Sequence, residues 1–425
     1  MIGALIAVML AGAMGTPSSW DWNIVVGAGQ SLSVGGGGLP VQPGEQPFGN
    51  LKVSSGNLHW PVNPDDPKVA LEPLIEPVGR RSAGYPSSWP QNIDGTTYHT
   101  SAANEVSHLS KQELKRDYVT VHMEVGEAGQ GMVRIRKESI HEGVTGRAYE
   151  ASLVQTKAIA RLARTAGKSF GVGAIFMTHG ETDTGNANYE EELFRLWSDY
   201  NADLKSISGQ NSDVTMIVSQ HNRLGDRSPS TIAQWKVGVD HPENIVCSGP
   251  KYQYPYGPDA LHLSALGYQL LGEKYGQVYF ERVVRGHRWR PLEPEHISRK
   301  GASVTIRFHV PTGPLVWDTT LGEPHPSSSE WSKGRGFEVT NADGKRIEIR
   351  SATIRGADSV VLELAAEPGP GARLGYATFG EPTLQKPPFN ASPHWGLLRD
   401  SDPFVGFTTH TAQPNFCVAF ETPLP

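Results

Sequence analysis

The sequence predicts an α/β domain with a mostly parallel sheet, followed by an all-β domain. Strand-like apolar runs alternate with helical segments from residue 22 to about residue 284, and this alternation is typical of a parallel sheet covered on both faces. From about residue 292 onward the pattern is strands and turns without a good helix. A chain of 425 residues is long enough for two such domains.

The strands of the α/β domain are predicted from short apolar runs rich in β-branched residues. These runs are residues 22–26, 118–125, 170–177, 214–219 and 245–247. The helices are predicted from apolar spacing at residues 149–166 and 189–207, and a third follows the N-cap Ser264 to about residue 284. Because ligands of such sheets bind beyond the carboxyl ends of the strands, polar groups that follow these strands are expected to gather there.

Two segments near the N-terminus lack this alternation. Residues 35–117 are rich in glycine and proline with little periodicity, which predicts a long insertion acting as a functional loop or lid.

Residues 1–19 contain an apolar run of signal-peptide length that is too short to span a bilayer. No basic residue precedes the run, so a disordered or artificial leader is the alternative to an export signal. The interpretation is a leader peptide and an exported protein.

The C-terminal part contains predicted strands separated by turns. The strands are residues 304–308, 336–340, 346–354, 359–364 and 374–378, and turns are predicted at 341–344 and 367–371. This pattern predicts a β-sandwich over residues 289–425, after the α/β domain at residues 20–288.

Composition excludes several classes of function. The formal net charge is −6 and no block of Lys or Arg occurs, which argues against a nucleic-acid partner. The later apolar runs are short, so no integral membrane span is predicted. Cys247 and Cys417 allow one disulfide at most, and no zinc-binding spacing of Cys and His is present. Neither a metal nor an organic cofactor is therefore predicted.

A serine lies at the end of the first predicted strand. Ser31 follows Gly29 and Gln30, where it can project above the sheet edge. A serine hydroxyl becomes a useful nucleophile when a base is next to it. Two alternatives exist: a glycine-rich turn with an unused serine, or the start of a dinucleotide-binding fingerprint. The fingerprint requires a glycine where the chain has Leu32.

The base for this serine is predicted in the last strand-to-helix loop. Asp259 precedes His262 by three residues, and its carboxylate can accept a hydrogen bond from Nδ1 of the imidazole. This leaves Nε2 free to take a proton from Ser31. The alternative is a surface turn with two polar residues, but the loop's place at the sheet edge favours the catalytic interpretation.

Two further polar segments follow predicted strands. Residues 178–183 carry His179, Glu181 and Asp183, which is compatible with a metal site, an oxyanion-stabilising loop or a solvated loop. Gly129, or as second choice Gly131, belongs to a glycine-rich turn whose N–H groups can approach a ligand.

Together these four segments resemble the four blocks of SGNH hydrolases, in the order of that family. The closest forms are those of sialate O-acetylesterase-like and acetylxylan-esterase-like carbohydrate esterases. The resemblance covers roughly residues 20–285 and implies a flavodoxin-like α/β/α domain with the triad Ser31, Asp259 and His262. It implies an oxyanion hole formed by Ser31, Gly129 and His179. His179 is a departure, because those relatives carry glutamine or asparagine at its position.

The predicted function is hydrolysis of a small acyl ester, most simply acetyl, on a carbohydrate. Candidate substrate contacts are Gln30, Glu181 and the aromatic residues Trp60 and Trp89 of the insertion, which could stack on sugar rings. Aromatic residues in a long loop can also form a small core of that loop. The first rival is an esterase for lipids or simple acyl esters on the same triad. The second is a non-catalytic polysaccharide-binding protein.

Overall fold

The structure is a computed structural model. It describes residues 20–54, 63–67, 69–79, 95–141, 144–145, 147–223, 226–380 and 394–425. The first part of the chain forms a large mixed α/β unit and the second part a unit of antiparallel sheets.

A seven-stranded sheet is the centre of the α/β unit. In chain order the strands of this unit are β1 (Trp22–Gly29), β2 (Leu51–Val53), β3 (Leu71–Pro73), β4 (Thr120–Glu124), β5 (Ile140–His141), β6 (Val144–Thr145), β7 (Phe170–Thr178), β8 (Thr215–Gln220) and β9 (Ile245–Pro250). The sheet order is β3-β2-β4-β1-β7-β8-β9, while β5 and β6 pair as a separate hairpin. Strand β3 is antiparallel to β2, and the other neighbours in the sheet are parallel.

Helices cover both faces of this sheet. They are α1 (His99–Glu113), α2 (Met132–Ile135), α3 (Arg147–Thr165), α4 (Tyr189–Ser208), α5 (Pro229–Asp240) and α6 (Ala265–Tyr279), and a π-helical turn (Phe280–Val284) continues α6. Because successive strand residues point to opposite faces, two apolar clusters form. Val25 and Phe176 pack with α1 and α6, whereas Ile24 and Met216 pack with α3, α4 and α5. The predicted alternation of strands and helices is thus confirmed.

The expectation of little regular structure across residues 35–117 is wrong. This stretch contributes β2, β3 and the fifteen-residue helix α1. Helix α1 packs closely on α6 because two glycines of α6 leave room for side chains of α1. A Cβ added to Gly272 would lie 2.0 Å from Oγ of Ser101, and one added to Gly276 would lie 2.6 Å from Cβ of Glu105. Most of the buried residues of α1 are polar, so its hydrophobic periodicity is weak.

The C-terminal part consists of short antiparallel strands. They are β10 (Glu293–Lys300), β11 (Ser303–His309), β12 (Val316–Trp317), β13 (Phe337–Thr340), β14 (Ile349–Arg355), β15 (Ser359–Leu364), β16 (Arg373–Tyr376), β17 (Leu398–Arg399) and β18 (Phe420–Pro423). They form a four-stranded sheet β10-β11-β15-β14, a three-stranded sheet β13-β16-β18 and the pair β12-β17.

The two parts share one continuous apolar cluster and exchange buried hydrogen bonds. The Gln220 side chain bonds both backbone groups of Ala419, at 2.8 Å each, and the Tyr252 hydroxyl donates to the Cys417 carbonyl at 2.7 Å. Cys247 and Cys417 are buried free thiols rather than a disulfide. Within the residues described, no helix combines the length and apolar character that crossing a membrane requires.

Candidate active site

Ser31 lies directly beyond the carboxyl end of β1, where a glycine makes the necessary turn. Gly29 has φ of +138°, and a Cβ there would lie 2.0 Å from the Thr178 carbonyl oxygen of the neighbouring strand. Only glycine fits such an approach of two backbones. The chain then enters a 3₁₀ turn at Ser31–Ser33, and Ser31 is 6% exposed. The hydroxyl is thus held at the sheet edge with narrow access to solvent.

The imidazole of His262 is within hydrogen-bond distance of this serine. Its Nε2 lies 2.8 Å from Oγ of Ser31, and its Nδ1 lies 2.6 Å from Oδ2 of Asp259. A carboxylate can only accept, so Nδ1 carries the proton and Nε2 is the acceptor for the serine hydroxyl. The structure therefore brings together the three residues of the predicted triad. Their order matches that of a nucleophile, a base and an acid that orients the base.

The Asp259 carboxylate is fixed by its own loop. Its Oδ1 accepts the backbone N–H groups of Leu261 and His262, at 3.0 Å each. Ala260 between them has φ of +57°, a left-handed conformation that is uncommon outside glycine. Partial burial raises the pKa of Asp259, but the hydrogen bonds from His262 and Leu261 outweigh it, so the pKa is lowered overall. The carboxylate is ionised at neutral pH, as an acceptor for Nδ1–H must be.

The glycine run at residues 35–38 packs against this histidine. A Cβ on Gly37 would lie 2.5 Å from Cβ of His262, and one on Gly36 would lie 3.0 Å from both Cδ2 of His262 and Cβ of Ser31. The Gly36 carbonyl also accepts a 2.6 Å hydrogen bond from the Tyr268 hydroxyl. In the sequence, this run forms the start of the insertion at residues 35–117. Four successive glycines after a candidate nucleophile were the signal for close packing around it.

Gly129 lies in the turn that follows β4, next to the turn that carries Ser31. The two turns are tied together because the Glu127 N–H donates to the Gly29 carbonyl at 2.9 Å. Among the described residues, the N–H groups of Ser31 and Gly129 have no hydrogen-bond acceptor. Gly129 has φ of +70° with open space where a Cβ would be, whereas a Cβ on Gly131 would lie 3.0 Å from the Asp183 carboxylate. Gly129 is therefore the better placed of the two glycines.

The position of His179 corrects its expected role as an oxyanion donor. The side chain is fully buried, with Nε2 at 3.0 Å from the Gln130 carbonyl and Nδ1 at 2.8 Å from the Tyr189 hydroxyl. Nε2 must donate to the carbonyl, so Nδ1 accepts from the tyrosine. Burial lowers the pKa of His179, which keeps the ring neutral and leaves it one N–H. That N–H is occupied, and it holds the backbone next to Gly129.

The expected substrate contacts of Gln30 and Glu181 also differ from the structure. Gln30 is 3% exposed, and its Oε1 accepts from the Thr182 hydroxyl at 3.1 Å. Glu181 forms a buried ion pair with Lys251 at 2.5 Å. Burial alone would raise the pKa of Glu181, but the Lys251 ammonium outweighs it and lowers that pKa to about 2. Each of the two side chains therefore contacts a protein partner in the interior beneath the site rather than pointing toward a substrate.

Two further candidate contacts, Trp60 and Trp89, lie outside the described residues. Their predicted role in stacking on sugar rings therefore stays a prediction.

Comparisons with known proteins identify a shared fold. No protein-family model matches the chain, and no curated protein sequence matches it. Among solved structures, a carbohydrate acetylesterase from Xanthomonas citri is similar, with a TM-score of 0.55 and 14% identity over 94% of this chain and 80% of that one.

Two smaller structures match at lower similarity. An Arabidopsis thaliana protein has a TM-score of 0.45 and 17% identity over 61% of this chain and 98% of its own. NanS has a TM-score of 0.39 and 14% identity over 61% of this chain and 96% of its own. The likeness to the Xanthomonas citri enzyme shows that the chain shares its fold with a carbohydrate acetylesterase, in agreement with the resemblance to SGNH carbohydrate esterases in its sequence.

Proposed function

We propose that this protein is a serine esterase that removes small acyl groups, in the first place acetyl, from a carbohydrate. The observation that carries the proposal is the hydrogen-bond chain from Ser31 through His262 to Asp259 at the sheet edge, with distances of 2.8 and 2.6 Å. A chain of these three groups in this order is what activates a serine hydroxyl at neutral pH. The shared fold with a carbohydrate acetylesterase supports the sugar as the alcohol part of the ester.

The reaction proceeds through an acyl-enzyme in two steps. Oγ of Ser31 attacks the ester carbonyl while Nε2 of His262 takes its proton, and Asp259 stabilises the imidazolium that forms. The oxyanion accepts hydrogen bonds from the backbone N–H groups of Ser31 and Gly129. His262 then returns the proton to the departing sugar oxygen, which leaves an acetyl group on Ser31. Water, deprotonated by His262, attacks this ester. As the second intermediate collapses, Nε2 of His262 returns this proton to Oγ of Ser31, and acetic acid leaves and ionises to acetate.

His179 acts in this proposal as a positioning residue. Its N–H donates to the Gln130 carbonyl at 3.0 Å, and the Asp183 carboxylate accepts a hydrogen bond from the Met132 N–H at 2.7 Å. The ion pair of Glu127 with Arg147, at 2.7 Å, secures the start of this turn. The N–H of Gly129 is thereby fixed before substrate arrives, and a preorganised donor stabilises the oxyanion without reorganisation during the reaction.

The architecture and location of the protein belong to the same proposal. The five strands β4, β1, β7, β8 and β9 have the order 2-1-3-4-5 when numbered along the chain, which supports a flavodoxin-like catalytic domain over residues 20–288. The antiparallel sheets support a β-sandwich over residues 289–425. We further propose that residues 1–19, which lie outside the described part, are an export leader.

Acyl chain length distinguishes this proposal from its rivals. Ser31 and His262 are 6% and 8% exposed, so the space for the acyl group is expected to be small. For an aryl ester series, kcat/KM is expected to fall by about tenfold or more from acetate to butyrate, since one or two methylenes in a tight pocket have that effect. Acetate release from acetylated glycans is measured in parallel. Rising activity with chain length would favour a lipid esterase, and no hydrolysis of any ester would favour a binding protein.

Replacing His179 tests its positioning role. His179→Ala is expected to lower kcat for aryl acetate by about 10–100-fold, below the effect of losing an oxyanion donor outright, with KM nearly unchanged. His179→Gln is expected to recover most of that loss, because its amide N–H can donate to the Gln130 carbonyl. Steady-state kinetics and thermal unfolding of both variants provide the measurement. Equal losses in kcat for the two variants, or a loss that follows stability alone, would contradict the role.

A further inference from the structure

We propose that a cleft between the α/β unit and the β unit binds a sugar unit of the same glycan, away from the acylated position at Ser31. This inference rests on the proposed function. The cleft has a volume of about 460 Å³, within the roughly 300–1,000 Å³ of small-ligand sites, which often lie at domain boundaries. Its walls include Gln253, Tyr254 and Leu270 from the α/β unit, and Arg399, Gln413 and Phe416 from the β unit. We call it the domain cleft.

The domain cleft and His262 belong to the same loop. Gln253 and Tyr254 come shortly after β9 ends at Pro250, and the chain continues from them to Asp259 and His262. Tyr256 bridges Leu263 in antiparallel fashion, and the Pro255 carbonyl accepts the N–H and the hydroxyl of Ser264, at 3.0 and 3.1 Å. One wall of the cleft therefore continues as the hairpin that holds the catalytic base, on the carboxyl side of the sheet. A glycan with one sugar unit at Ser31 can therefore extend along this loop and place another unit in the domain cleft.

The lining combines apolar surface with hydrogen-bonding groups, as a sugar requires. Tyr254, Leu270 and Phe416 are buried side chains that offer apolar surface to the C–H face of a ring. Arg399 is 25% exposed and held by Asp318 at 2.9 Å, which fixes its guanidinium at the cleft wall. Carboxylates outnumber cations in this lining, since Asp402 also takes part. That balance favours a neutral, hydroxyl-rich ligand over an anionic one.

Two amide oxygens of the lining lack a donor. Nε2 of Gln253 donates to the Pro250 carbonyl at 2.8 Å, and Nε2 of Gln413 donates to the Glu273 carboxylate, so each amide orientation is set. Oε1 of both residues is shielded and has no hydrogen-bond donor among the described residues. An acceptor left in this way costs free energy, and a hydroxyl donor at the cleft wall would offset that cost. Sugar hydroxyls supply such donors.

Blocking the cleft tests this assignment without removing a native contact. Ala412 is exposed on the cleft wall, and Ala412→Trp would fill the space. Acetylated oligosaccharides of xylan, mannan and pectin, from disaccharide to hexasaccharide, are compared with an aryl acetate. The ratio of kcat/KM for a hexasaccharide to that for the aryl acetate is expected to fall by about tenfold in Ala412→Trp. The reason is that the indole would occupy the space of the bound sugar unit. Ala166→Trp, on an exposed surface position at the end of α3, is the matched control.

The outcomes separate the cleft from the proposed function. An unchanged ratio in Ala412→Trp, with wild-type protein active on hexasaccharides, would overturn the cleft and leave the esterase intact. If the wild type released no acetate from any ester, the esterase would fail. Calorimetric titration of unacetylated hexasaccharides into the same proteins then decides on the cleft. Binding that is lost in Ala412→Trp and kept in Ala166→Trp supports it, and no binding, or binding equal in both, overturns it.

Discussion

Replacing Ser31 by alanine is expected to lower kcat for acetate release by on the order of 10⁴–10⁶, the range found when a triad nucleophile is removed. The reason is local: Oγ of Ser31 is the group that Nε2 of His262 faces at 2.8 Å, and alanine leaves that base without a nucleophile. The 3₁₀ turn and the N–H groups around it remain, so residual activity above the uncatalysed rate is expected. The measurement is steady-state hydrolysis of an aryl acetate and of the preferred acetylated glycan.

A serine elsewhere in the same unit provides the control for this variant. Ser212 is exposed and precedes β8, at the opposite edge of the sheet from Ser31. Ser212→Ala is expected to match the wild type in kcat and in thermal unfolding. Wild-type activity in Ser31→Ala protein would contradict the proposed mechanism. Loss of the unfolding transition in that variant would instead point to misfolding, which circular dichroism distinguishes from loss of chemistry.

Replacing His262 by asparagine is expected to have an effect as large as the loss of the serine, on the order of 10⁴–10⁶ in kcat. Asparagine has no basic nitrogen to accept the proton, although its amide can still donate toward Asp259. Its smaller side chain avoids a clash with Gly36 and Gly37, which pack against the ring. Substrate binding is expected to change little, because no contact with the acyl group is removed.

The double variant gives the sharper test of the second prediction. Residues that act as one unit are strongly non-additive, so Ser31→Ala combined with His262→Asn is expected to be no slower than either single variant. His296→Asn, at an exposed position of β10, controls for the substitution itself. If the two losses multiplied in the double variant, serine and histidine would act independently and the proposed chain would be wrong.

Much of the α/β unit follows from the sequence because its strands are continuous apolar runs. Strands β1, β7, β8 and β9 are buried on both faces. Such strands are continuous apolar runs, which a single sequence is enough to reveal. Helix α1 shows the opposite case. It packs against two glycines of α6, and most of its buried residues are polar, so its apolar row is short and its hydrophobic periodicity is weak.

The candidate site divides in a similar way. Asp259 and His262 are three residues apart, so their hydrogen bond is a local event that the sequence could predict. The ion-pair partner of Glu181 lies 70 residues away, and the carbonyl that accepts the N–H of His179 lies 49 residues away. A polar residue after a strand can turn toward the ligand or toward the interior, and that choice depends on side chains that only folding brings near. The sequence therefore identified the loops correctly and left the direction of these two side chains open.

By itself the sequence determined which residues could supply the nucleophile, its base and the acid that orients it, because these roles depend on residue type and on position after strands. The tertiary structure decided which N–H groups of the candidate site are left without an acceptor. His179 donates its one N–H to Gln130, whereas the N–H of Gly129 has no acceptor among the described residues. The physical reason is that a donor serves one acceptor well, and whether it is already engaged is a property of the packed chain.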